Sequence, residues 1–245
     1  MSREQVVKRG LYFSIIDGSF RTKVPQEHPE CVPREWTSTD GKTTKMIYER
    51  KVDYLFGFIR DIQFHDGEFG MNINVFLDEN DNGESPIISM GTATREGEDF
   101  MKKLPNIDLT KEVRFRPFNF TGSENEEVRG MEMMQPDSEG NFTVKMTNFF
   151  SSKVKQEDGS FKYSYLNGFP EPEGDTESFS KDDWKIYFLL ARKFLITYTK
   201  EKIVPKITKE TPIQKQPKDP KHPHGDPQAI DDAFDNAFPD DKVPF

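Results

Sequence analysis

Cysteine occurs once in 245 residues, at Cys31, so no disulfide can form within the chain and no Cys-cluster zinc site exists. Its neighbours His28-Pro29-Glu30 offer no spacing for a catalytic dyad, and the thiol reads as structural or solvent-facing. Histidine is scarce as well. Three of the four stand beside prolines, and His222, His224 and Asp226 in a proline-rich run make too weak a set to hold a metal. No phosphate-cradling glycine loop and no nucleophile motif occurs, so the chain is expected to be no enzyme and to take no cofactor. Long apolar runs are missing too: none approaches the roughly 18 residues that span a bilayer. Met1-Ser2-Arg3-Glu4 opens no apolar signal region. A soluble, cytoplasmic protein without a membrane partner is expected.

What the chain does have is phenylalanine, 22 of them, in a setting that is 31% charged with a mean hydropathy of -0.79. So many rings in so polar a chain must supply much of the core and part of a binding surface. The composition changes along the chain and suggests three parts: a folded body at 1–204, a Lys/Pro-rich flexible linker at 205–225 and an acidic tail at 226–245. The tail sets six aspartates against the single cation Lys242 and cannot bury enough apolar surface to offset its ordering entropy. Ile230, Phe234, Phe238 and Phe245 are unnecessary for a merely solvated tail, so it reads as a disordered peptide that fits a partner pocket with an apolar floor and a basic rim.

The tip, Pro239-Asp240-Asp241-Lys242-Val243-Pro244-Phe245, resembles that of the bacterial and phage single-stranded DNA-binding proteins, in which an OB-fold, a linker and an acidic end closing on Pro-Phe follow one another. Lys242 and Val243 depart from the family pattern, which implies a weaker or differently tuned partner affinity. Glu98 to Leu104 followed by Lys111-Glu112-Val113-Arg114-Phe115 is similar to the helix and next strand of the bacterial proteins. The resemblance implies that Asp231, Asp232, Asp235, Asp240, Asp241, Val243, Pro244 and Phe245 bind replication or recombination proteins.

Within the body, Lys8 to Val24 reads as a hairpin turning on Asp17-Gly18, with Leu11 to Ile16 as its first strand. Arg21 and Lys23 share one face of its second strand, either to bind phosphate or to be solvated. Pro25 to Lys42, with three prolines, reads as a long ordered loop in which Trp36 caps the core or offers its ring to a base. Lys45 to Phe64 is a long β-type stretch placing Tyr54, Phe56, Phe58, Arg60 and Phe64 on one face, suited to stacking or to burial. In the next strand Phe69, Met71, Ile73, Val75 and Leu77 alternate with Asn72, Asn74 and Phe76; the first set is expected in the core. Asp78 to Gly83 begins a calcium-loop pattern, but the closing glutamate falls at Ser89 and the flanks read as strands, so a hairpin turn is expected. A helix around Glu96 to Leu104 precedes strands at Lys111–Phe120, Glu127–Met134 and Phe142–Phe150, and Ser160 to Leu166 forms one arm of a hairpin turning on Glu157-Asp158-Gly159. Two long strands, a short third, a helix and two more strands is the order of an OB barrel. Ser180 with Asp183 predicts a helix start, and Trp184, Tyr187, Phe188, Ala191, Phe194, Leu195 and Tyr198 recur at helical spacing up to Pro205. That stripe is body packing or a dimer contact, leaving monomer or homodimer open.

The fold expected is mainly β: an OB-type barrel with extra hairpins, a C-terminal amphipathic helix and a disordered tail. On Val113 to Phe120, Arg114, Arg116, Phe118 and Phe120 point together, joining charge neutralisation to stacking. With Tyr54, Phe56, Phe58, Arg60, Arg21, Lys23, Trp36 and Phe76 they form the candidate single-stranded DNA-binding set. The function expected is sequence-independent binding of single-stranded DNA for replication, recombination or repair, in a phage setting, with the tail recruiting partners and competing with DNA. The net charge of -9 favours an alternative, a phage adaptor or inhibitor that imitates a host tip without binding DNA.

Overall fold

Asp17 and Gly18 adopt φ of 50° and 68°, the paired left-handed geometry of a tight two-residue turn. They join β1 (Leu11–Ile16) to β2 (Ser19–Lys23), the hairpin read from the sequence. A Cβ on Gly18 would lie 2.5 Å from the backbone nitrogen of Asn119, so only glycine lets this turn rest against that later strand. The computed structural model describes residues 10–38, 41–67, 70–80, 83–123, 125–155 and 161–210. Lys8, Phe69, the turn Glu157-Asp158-Gly159, most of the linker and the entire acidic tail lie outside the described residues.

The loop expected over Pro25 to Lys42 is corrected. Cys31–Thr37 is strand β3, pairing antiparallel with β4 (Thr44–Val52) from Cys31 opposite Arg50 to Thr37 opposite Thr44. Pro33 reads as a strand breaker because it donates no N–H, yet β3 is the outermost strand of its sheet and needs donors on one side only. A second correction concerns the long stretch that follows. It divides into β4, β5 (Leu55–Gly57) and β6 (Ile59–Gly67), and a register shift between Ile59 and Asp61 inverts the alternation. Tyr54 and Phe56 therefore face outward while Phe64, opposite the buried Ile73, packs against the core.

Next come β7 (Gly70–Leu77) and β8 (Pro86–Gly91), antiparallel across the acidic hairpin turn, in which Asp81 and Asn82 lie outside the described residues. Ile73, Val75 and Leu77 are buried as their alternation predicts, whereas Met71 of the same expected set is half-buried and Asn74, expected on the other face, is buried as well. Helix α1 (Arg95–Lys103) is capped by Thr94, whose hydroxyl accepts from the Gly97 N–H at 3.1 Å, and it buries Phe100 and Met101. Then follow β9 (Val113–Thr121), β10 (Glu127–Pro136), β11 (Phe142–Lys145) and the hairpin β12 (Ser151–Lys155) with β13 (Phe161–Tyr165).

The strands make a seven-stranded sheet, β3-β4-β2-β1-β8-β7-β6, and a four-stranded sheet, β11-β10-β9-β5. One residue, Phe58, separates β5 from β6, so a single bent strand serves both sheets. Between their inner faces lie Phe13, Phe20, Ile73, Val75 and Ile88 from one and Val113, Phe115, Met131 and Met133 from the other, joined by Phe100 and Met101 of α1 and by Leu104 just after it. The ladders among the described residues do not close into a barrel. One edge of β8 pairs with β7 and the other with β1, which runs parallel to it from Leu11 opposite Pro86.

Helix α2 (Lys181–Tyr198) begins with the reciprocal Ser180–Asp183 capping box the sequence predicts. Its Ala191 and Leu195 are buried, and Phe194 and Tyr198 close on Phe150 edge-on at 5.4 and 5.0 Å, so these members of the stripe, with Tyr187, pack on the body. Pro205 does not end the helix. A π turn at Thr199–Ile203 leads into α3 (Val204–Glu210), and the wider hydrogen-bond spacing, Val204 N–H to Thr199 C=O, carries the chain past a residue with no N–H.

Candidate functional site

The expected alternation holds on β9. Val113, Phe115 and Pro117 are buried, and Arg114, Arg116, Phe118 and Phe120 are half-buried on the opposite, outer face of the four-stranded sheet. Register then extends this face across the sheet. Phe56 on β5 stands opposite Arg114, Met134 on β10 stands opposite Arg114 on its other side, and Lys145 on β11 stands opposite Met134. Pro136 pairs with Phe142, which brings that ring back over the row: it lies 6.4 Å from Phe56, and the Arg114 guanidinium sits 5.7 Å from its centroid. Tyr54 continues the line, 6.4 Å from Phe56, and both rings are 43% exposed. Arg114 also donates to the Met134 sulfur at 2.7 Å. The result is a guanidinium set against the half-buried Phe142 ring, with the exposed rings of Phe56 and Tyr54 beside it.

Further along β9, Phe118 lies across Gly130, where a Cβ would come within 2.5 Å of its ring, and its centroid is 5.9 Å from that of Phe120. Arg116 faces Glu132, a buried acid that also meets Lys145 at 3.3 Å. Phe58 and Arg60 sit at the bend between the sheets; the Arg60 guanidinium lies 5.2 Å from the Phe58 ring and 3.3 Å from Asp78. Gly57 leaves room for that carboxylate, which accepts the Phe58 N–H at 2.9 Å.

The remaining candidates are elsewhere. Phe76 is half-buried on β7, while Arg21, Lys23 and Trp36 belong to the β2-β4-β3 end of the seven-stranded sheet. There Arg21 opposes Lys51, Lys23 opposes Glu49, and Trp36 opposes Lys45, whose ammonium covers the ring at 4.8 Å. Buried Glu49 receives both guanidiniums: Arg34 donates to its two oxygens at 2.9 and 3.0 Å and Arg21 at 3.4 Å. The Arg34 hydrogen bond holds Glu49 below the usual carboxylate range and raises Arg34 in turn. A shallow hollow of about 380 Å³, lined by Tyr12, Ser14, Arg21, Lys23 and Glu49 among others, opens beside this group. Arg21 and Arg34 thus pair with one carboxylate, while Lys23, Lys45 and Lys51 stand on the same three strands.

Sequence reasoning missed Phe142, Met134 and Lys145 on the first face and Arg34, Glu49, Lys45 and Lys51 on the second. The signal for Phe142 was present, a ring opening the strand after a turn, but its pairing across a shifted register was not readable. Among the described residues no helix is long and apolar enough to cross a membrane, and no three His, Cys, Asp or Glu side chains are grouped to hold a metal. No known protein family, curated protein or solved structure matches the chain.

Proposed function

We propose that this chain is a sequence-independent single-stranded DNA-binding protein whose acidic tip recruits replication or recombination proteins and competes with DNA for the body. The observation that carries the reading is the outer face of the four-stranded sheet, where Arg114 lies beside the neighbouring rings of Phe56 and Phe142 and Tyr54 continues the ring line. Rings offer π faces to any base, and a guanidinium among them neutralises a phosphate, so the pair serves every sequence alike. The bent strand β5–β6, then β7, β8, α1, β9 and β10, supports an OB-type core in which β8 pairs with β1.

Anisotropy of a labelled poly-dT oligonucleotide with the full chain tests this. Binding that weakens steeply with salt is the expected result, and deleting residues 226–245 raises affinity at low salt while abolishing capture of partners. Absence of salt-sensitive binding contradicts the proposal and leaves the adaptor reading, a mimic of a host tip, which the net charge of -9 favours.

A further inference from the structure

The most exposed large hydrophobic side chains among the described residues are Ile186, Leu189 and Leu190, at 58%, 60% and 56%, all within five residues of α2. Nothing in the described body covers them, because α2 packs through its other side, by Ala191, Leu195, Phe194 and Tyr198. Ile186 and Leu189 are the inner two of four positions, Asp182, Ile186, Leu189 and Lys193, spaced 4, 3 and 4 residues apart. That is the heptad rhythm that lines up one seam on a helix. Acid stands at one end of the seam, base at the other, and both are exposed.

Such a seam complements itself when reversed. A two-fold axis between positions 187 and 188 sets Ile186 against Leu189 of a second copy, Asp182 against its Lys193, and Lys185 against its Leu190. We propose that α2 joins two copies of this chain in an antiparallel, two-fold symmetric dimer through this seam. Both ends then carry an opposite-charge pair, whereas a parallel alignment would place Asp182 on Asp182 and Lys193 on Lys193. Asp182, 2.8 Å from Lys185 within its own helix, gains a second cation. Leu190 gains cover from the alkyl stem of the other copy's Lys185. The inference is independent of the DNA-binding proposal, since no residue of the seam lies on either candidate face.

Sedimentation equilibrium of the full-length chain tests it. The wild type is expected to dimerise reversibly, and Leu189→Asp weakens the dimer by at least about tenfold, with circular dichroism confirming an intact fold. Asp182→Lys and Lys193→Asp each weaken it, and the double variant restores it. In a Cys31→Ser background, Asp182→Cys with Lys193→Cys forms an intermolecular disulfide while either cysteine alone forms none. A wild-type chain that stays monomeric up to roughly 100 μM, a dimer indifferent to Leu189→Asp, or crosslinking by the single cysteines overturns the proposal. Dimer formation that depends on the acidic tail's Phe245, read from Phe245→Ala, would assign the seam to that tail instead and also overturns it.

Discussion

Glu49 shows how one side chain fixes the meaning of several others. Buried between β2 and β3, it stays ionised because Arg34 and Arg21 both donate to it, and it fixes both guanidiniums on the sheet surface. Its depressed pKa sets the sign of its pH dependence. The stabilisation is fully present above the ordinary carboxylate range of about 4.3 and is lost as pH falls through the lower folded-state value. Glu49→Gln leaves two arginines side by side without their acid, an expected loss of about 3 kcal/mol at pH 7. Urea melts should show that loss shrinking toward zero as pH falls below the carboxylate range. A difference that persists unchanged at acid pH would contradict it. Alternation alone placed Arg21 and Lys23 on a common face. The acid that claims Arg21 is 28 residues away, so the contact depends on how β2 meets β4 and could not be read locally.

At the scale of elements, what local chemistry dictates was legible: the Asp17-Gly18 hairpin, the Ser180–Asp183 helix start, and the alternation of β7 and β9. What depended on neighbours was not. Pro33 is tolerated because β3 is an edge, Pro205 because a π turn precedes it, and the faces of β5 and β6 differ because of one register shift. The packing of α2 depends on Phe150, whose ring meets Phe149, Phe169, Phe194 and Tyr198 at 5.0 to 5.6 Å. Phe150→Ala empties the centre of that cluster and should cost about 3–5 kcal/mol, measured by thermal or denaturant unfolding. Binding of single-stranded DNA by the folded fraction should change little, because the cluster lies under α2 and not beneath β9. Loss of under 1 kcal/mol would mean that α2 is held by other contacts.

At the scale of the whole molecule, an acidic chain is proposed to hold a polyanion, which requires cations concentrated locally rather than in excess overall. Two faces concentrate them, one around Glu49 and one around Arg114, and the second also carries the exposed rings. That the fold is mainly β was legible from the alternating strands, but the expected barrel is not formed: β8 pairs with β1, a contact between residues more than seventy positions apart, from Leu11 opposite Pro86. The most direct test of the account is poly-dT binding by Phe56→Ala and Arg114→Gln across a salt series. Phe56→Ala is expected to lose about 1–3 kcal/mol with its salt slope unchanged, and Arg114→Gln to lose affinity with a slope shallower by roughly 0.7. Wild-type affinity and slope in both variants would contradict the assignment of this face to single-stranded DNA.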